Sequence, residues 1–245
     1  MSIQDRNTLK GFFRKGQMPL ESHFHDFIDS SLNKVDDGLS KNAEDGLMLA
    51  PSGASQKMMS FYKNIQDRSS LWSLCLNKGN SNLSFSDYIG NPVLTLTLNG
   101  NVGIGKEDPQ YSLDVNGTVG MQGRVGTHKQ GTIPADGKWH PILENLNGVN
   151  AFEIMAGIGK KKTGKYALIH AVAMSTYGKS DDRIHIRQAR YGSWRNKIQI
   201  RWGGDTFKYF LEMRTRSDYE GPFVVQYFIS QLWQDIFMDG SMVNE

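Results

Sequence analysis

The segment Gly159-Lys160-Lys161-Lys162-Thr163-Gly164-Lys165 has the G-x-x-x-x-G-K spacing of a phosphate-binding loop. In such a loop backbone N–H groups cradle phosphates, the lysine neutralises them, and a following Ser or Thr reaches a magnesium ion. Tyr166 stands at that last position, and Tyr166-Ala167-Leu168-Ile169-His170 reads as a strand where the motif must open a helix. A basic hairpin tip is expected here, not a nucleotide site. His23 and His25 form an H-x-H pair, but residues two apart on a helix diverge by about 200° and cannot share one metal unaided. His140, His170 and His185 lie on separate segments without clustered carboxylates. No metal site and no cofactor are expected, and a strand histidine such as His170 is expected to be a satisfied core or interface residue. Cys75 sits in the apolar strand Trp72-Ser73-Leu74-Cys75-Leu76. A buried structural thiol is expected there, since a nucleophile needs a histidine held beside it. No G-x-S-x-G elbow is present. A carboxylate pair for glycoside hydrolysis stays open, because any two Asp or Glu side chains can meet in a fold.

One stretch has the composition of a binding surface: Arg183, Arg187, Arg190, Tyr191, Trp194, Arg195, Lys197 and Arg201. Arginine favours planar anions through paired donors, and exposed Tyr or Trp rings stack on sugars. The stretch lies in a wider basic block: residues 160–216 hold 14 Lys/Arg against 4 Asp/Glu, and no Lys or Arg follows Arg216. Anionic glycan or an acidic protein is the expected partner class. No RNA-binding signature is present, so nucleic acid is not expected. The plain alternative is a solvated strand face.

These residues need elements to hold them, and the chain has three zones. Residues 1–46 are read as an N-terminal helical attachment segment. Asn7 to Phe13 is a weak helix, and Pro19 suits the first turn of a second. That second helix carries Phe24, Phe27, Ile28, Leu32 and Val35 as one apolar stripe, ended by Asp36-Asp37-Gly38. One such stripe cannot make a core alone, so it must dock on something. Residues 47–127 are read as a central β region. Trp72, Leu74 and Leu76 alternate with small or polar residues, as does Leu94-Thr95-Leu96-Thr97-Leu98. Asn99-Gly100 and Asn116-Gly117 are hairpin-type dipeptides. Strands this short and glycine-rich make a thin core, so burial is expected to need identical neighbours around a rotation axis. Residues 128–245 read as consecutive strands: Ala151–Ala156, Tyr166–Met174, Arg183–Tyr191, Lys197–Trp202, Phe207–Arg216 and Phe223–Trp233. They predict an antiparallel β-sandwich or barrel, giving a mainly β protein overall.

Composition agrees. Glycine is 26 of 245 residues, about 11% against a usual ~7%, which implies many tight turns. No apolar run approaches the ~20 residues of a membrane helix, so no membrane insertion is expected. The N-terminal stretch has no apolar core, so no signal peptide is expected. Cys75 is the single cysteine, which excludes an internal disulfide framework.

Against that background, Gly100-Asn101-Val102-Gly103-Ile104-Gly105-Lys106-Glu107-Asp108-Pro109-Gln110-Tyr111-Ser112-Leu113-Asp114-Val115-Asn116-Gly117-Thr118-Val119 resembles a segment recurrent in phage tail-fibre and appendage proteins. There it marks short β-structure in elongated homotrimers. The stretch from Lys10-Gly11-Phe12-Phe13 to Val35-Asp36-Asp37-Gly38 resembles leader segments of appendages from phage-like particles and contractile injection systems. The region opening with Gly137-Lys138-Trp139-His140-Pro141 resembles a module that terminates such fibres. The resemblance implies a homotrimeric, non-enzymatic tail-fibre or baseplate appendage. It would attach to baseplate or tail proteins through its N-terminus and bind a cell-surface ligand through its C-terminal domain. It also implies assembly in the cytoplasm and a later place on an extracellular particle. The alternatives are a purely structural collar, cage or baseplate component and, behind it, a polysaccharide depolymerase. No catalytic residue carries over.

Overall fold

The computed structural model describes residues 4–33, 36–159, 161–179 and 183–241. The chain is mainly β, with a short helical segment at its N-terminus, and divides into two compact units at Gly120/Met121. The first unit opens with helices α1 (Arg6–Phe12) and α2 (Glu21–Asp29). Asp5 caps α1 by accepting from the Asn7 and Thr8 N–H groups. The predicted second helix proves shorter at both ends. Leu20 is its N-cap, so Pro19 precedes the helix and is not in its first turn, and the Leu20 N–H donates to His23 Nδ1 at 3.2 Å. At the other end Ser30 and Ser31 donate to the carbonyls of Asp26 and Phe27, which competes with further helical bonding. Phe24, Phe27 and Ile28 are therefore on the helix, Leu32 follows it, and Val35 lies outside the described residues. Phe13 packs edge-on against Phe24 and Phe27, and Phe12 stacks on His23. Phe24, Phe27 and Ile28 nevertheless stay about half exposed.

A two-stranded ribbon follows, β1 (Leu39–Asn42) with β2 (Gly46–Leu49). Six strands then form one sheet in chain order: β3 (Lys57–Phe61), β4 (Trp72–Leu76), β5 (Leu83–Ser86), β6 (Pro92–Leu96), β7 (Val102–Ile104) and β8 (Leu113–Val115). The register sorts its side chains completely. Met59, Leu74, Phe85, Leu94, Ile104 and Val115 form one row across all six strands, and Leu76, Leu83, Leu96, Val102 and Leu113 form another beside it. The opposite face carries Ser73, Cys75, Ser84, Ser86, Thr95, Gly103 and Asp114. Within the single chain it is the polar face that is covered. Ser73, Ser86 and Thr95 are buried, while Trp72, Phe85, Leu96, Ile104 and Leu113 are exposed. Cys75 belongs to the polar face and is half-buried, not sealed in an apolar strand.

The segment from Gly103 to Asn116 explains its own sequence. β7 and β8 are parallel, and the chain between them doubles back over the polar face. A Cβ on Gly103 would come within 2.5 Å of the Lys106 carbonyl oxygen, and Gly105 has φ +64°, so both positions require glycine. Asp114 holds the loop, accepting from Lys106 Nζ at 2.7 Å and from the Gln110 N–H at 2.9 Å. These two bonds, the lysine first, hold its carboxyl below the usual carboxylate range. The lock is thus intact at and above that range, and is lost as pH falls below it through the depressed value. The Gln110 amide should therefore lose exchange protection on acidification, and Asp114→Asn should lose it at neutral pH; protection unchanged in both would remove the lock. Asn99-Gly100 does form the β6–β7 turn, but Asn116-Gly117 follows β8 without making a hairpin.

The second unit comprises β9 (Lys129–Pro134), β10 (His140–Leu146), β11 (Val149–Gly159), β12 (Tyr166–Thr176), β13 (Arg183–Tyr191), β14 (Ile198–Asp205), β15 (Lys208–Thr215) and β16 (Val224–Asp235). They form two antiparallel sheets, of order β13-β12-β11-β16-β9 and β10-β15-β14. Phe152, Ile154, Ile169, Val225 and Ile229 from the first meet Leu211, Met213, Ile198 and Ile142 from the second in one core. Among the described residues, every buried hydrophobic side chain lies between Ile133 and Ile229. The first unit has none. No helix among the described residues is long and apolar enough to cross a membrane.

Candidate functional site

The β11–β12 hairpin joins Gly159 to Tyr166, so the lysine-rich segment is a hairpin connection and its context is not that of a phosphate-binding loop. No group of three or more His, Cys, Asp or Glu among the described residues could hold a metal ion. In the first unit Asn82, Ser84, Ser86, Thr95 and Cys75 line a polar hollow of about 160 Å³. Its single carboxylate, Glu107, has no histidine beside it among the lining residues.

The basic stretch is distributed over two faces. Strand alternation puts Arg183, Arg187 and Tyr191 on the outer face of the five-stranded sheet, opposite Met174, His170 and Tyr166 of β12. Arg190 projects to the other side of β13, the side on which Gln188 donates to the Ile198 carbonyl. The chain then crosses to the other sheet through a turn closed by Asn196, which is buried and donates to the Tyr191 carbonyl at 2.9 Å. Trp194, Arg195, Lys197 and Arg201 follow this crossing and belong to the outer side of the three-stranded sheet.

There they meet residues the sequence reading did not select. Arg201 and Arg214 stack on Trp139, with guanidinium carbons 4.2 and 4.3 Å from the ring centroid. Arg216 lies 4.2 Å over Trp194, and Arg195 lies 5.9 Å from the same ring. The β14–β15 register builds this pattern by pairing Gln199 with Arg214 and Arg201 with Glu212. Arg201 donates from Nε and Nη2 to Glu212 Oε2, at 2.8 and 2.7 Å, and so neutralises the carboxylate. Arg214 Nε donates to Gln199 Oε1 at 3.0 Å. Among the described residues no carboxylate pairs with Arg195, Arg214 or Arg216. The indoles are therefore occupied by cations and are not open stacking platforms. Stacking fixes the guanidinium planes and leaves their in-plane N–H donors for an anion. The signal for Arg214 and Arg216 was the period-two alternation of Phe210, Glu212, Arg214 and Arg216; their meeting with Trp139 and Trp194 depends on register and on a loop.

A second charged group lies on the outer face of the five-stranded sheet. Glu153, mostly buried, accepts from Arg124 and lies 2.9 Å from His170 Nε2. His170 is thus partnered, as expected, but on a surface and not in the core.

Comparison of the chain with protein-family models and with curated proteins finds no match to either.

Proposed function

We propose that the chain is a non-enzymatic subunit of a homotrimeric tail-fibre or baseplate appendage on a phage or phage-like contractile injection particle. It is assembled in the cytoplasm and acts outside the cell as part of that particle. The observation that carries this reading is the six-stranded sheet, whose apolar face is left half exposed while its small polar face is covered. Seven of its exposed large residues sum to roughly 600 Å² at ~200 Å² per whole side chain, the upper end of what a monomer exposes in one patch. Identical chains around a three-fold axis turn these rows into a shared core. The mass in solution tests it: three times the 27.6 kDa chain mass is expected, and a stable single chain overturns it.

Attachment falls to the helical segment, whose Phe24, Phe27 and Ile28 stay exposed for a baseplate or tail protein. Ligand binding falls to the outer side of the three-stranded sheet, where Arg195, Arg214 and Arg216 suit a carboxylated or sulfated glycan on a cell surface. Three weak sites on one particle gain avidity of ~10²–10⁴ without new contacts. Arg195→Ala with Arg216→Ala should cut binding to an anionic polysaccharide by about tenfold or more, as expected for two charge-assisted contacts. Retained binding, or binding that ignores salt, removes this surface from the reading.

A further inference from the structure

We infer that the C-terminal units of neighbouring copies meet through the outer face of the five-stranded sheet, which reserves the three-stranded sheet for ligand. This rests on the homotrimer proposed above and adds the surface by which its C-terminal parts associate.

The inner face of the five-stranded sheet is covered by the three-stranded one; on the outer face, among the described residues, Arg124 reaches Glu153, Gly126 lies against Ser230 and Met238 borders the hollow beside Trp233, and the rows between them are left open. Rows run across it in register. Arg183, Met174, Ala151 and Trp233 form one; Arg187, His170, Met155 and Phe228 form another. Met155, Tyr166, Leu168, Met174, Tyr191, Val224 and Trp233 are each more than a third exposed. At ~200 Å² for a whole large side chain they present roughly 700 Å². A monomer's largest patch is about 300–600 Å², and a standard interface buries about 800 Å² per partner. The face is shaped as well as apolar. Two shallow hollows of about 650 and 560 Å³ lie on either side of the row that holds Glu153. The outer face of the three-stranded sheet is the reverse, polar and charged, with Arg201 and Arg216 exposed, Gln199 and Arg214 half-buried, and Glu212 mostly buried beneath Arg201.

Charge fixes the arrangement. The β13 side carries Arg183, Arg187 and Arg190; of the acidic residues in 217–241, Glu220 pairs with Lys165 beside β12, which leaves Asp235 and Asp239 to mark the far side, where the edge strand β9 opens on Lys129. Asp235 ends β16, across the sheet from β13. A two-fold contact that set β13 against β13 would oppose arginine to arginine. A head-to-tail contact sets the basic β13 side of one copy against Asp235 and Asp239 of the next, and head-to-tail contacts are those that close into rings. Arg187 and Tyr191 are then interface residues, while Trp194, Arg195, Lys197 and Arg201 face outward.

Two tryptophans make the test internal. Trp233 and Trp194 are each 52% exposed in the single chain, the first on the five-stranded sheet and the second in the turn that leads into the three-stranded one. Hydroxyl-radical footprinting of the full-length protein, with its mass measured on the same sample, should modify Trp233 on the order of tenfold more slowly than Trp194, because an interface core excludes solvent. Leu168→Asp should restore Trp233 labelling while the mass stays trimeric through the six-stranded sheet. A trimer in which both tryptophans react alike overturns this inference alone. A single chain by mass overturns the homotrimer and this inference with it.

Discussion

Placed in the Leu168→Asp protein, whose C-terminal contact is already broken, Ile104→Asp should leave separate chains with their fold intact. Ile104 sits on β7 in the row that runs from Met59 to Val115, and in one chain it is already 43% exposed. A carboxylate there keeps its water in the lone chain, so the cost to the fold is that of a surface change, within about 0.5 kcal/mol. Inside a three-chain core the same carboxylate loses its water and gains no partner, a penalty of several kcal/mol per copy. The two states respond so differently that the variant separates assembly from folding. Sedimentation mass should fall to that of one chain while the far-ultraviolet circular dichroism stays unchanged. A double variant, Leu168→Asp with Ile104→Asp, that stays assembled means the apolar rows are not the contact.

Phe152→Ala should do the opposite. Phe152 is fully buried on β11, between the two sheets of the second unit, with His128 packed 5.5 Å from its ring. Removing it costs the transfer energy of the ring and leaves a cavity, about 3–5 kcal/mol together. For a unit of this size that lowers the melting temperature on the order of 10–20 °C. The mass below the transition should stay that of the wild type, because the six-stranded sheet is untouched. A loss under about 1 kcal/mol in thermal unfolding would mean that this core does not hold the unit together.

The contrast between these two substitutions follows from where the sequence is readable. Arg183–Tyr191 matches its strand to the residue, and β12, β14, β15 and β16 lie within a few residues of expectation. Each alternates over eight residues or more, and each buries one face against a partner in the same chain. The four-residue strands β1, β2 and β5 offer too little alternation to be seen. The end of α2 is set by two serine hydroxyls that bond backward, a local competition that the apolar stripe conceals. The covered polar face of the six-stranded sheet was legible only in part. Alternation of Leu94, Thr95 and Leu96 says that two faces differ, but not which one the chain will cover. The candidate ligand surface was half legible for a related reason. Arg195 and Arg201 stand out in a basic stretch, whereas Arg214 and Arg216 reach the tryptophans only once β14 and β15 have paired.

The outer side of the three-stranded sheet contributes little to holding the domain together. Gln199, Arg214 and Arg216 project away from Ile198, Ile200 and Met213, which do the packing from the same strands. Solvent-facing polar groups and packing groups are thus carried on alternate residues of one backbone. Under the proposed function, such a layout lets target preference drift, or be re-engineered, by replacing every second side chain while the scaffold's own requirements remain met.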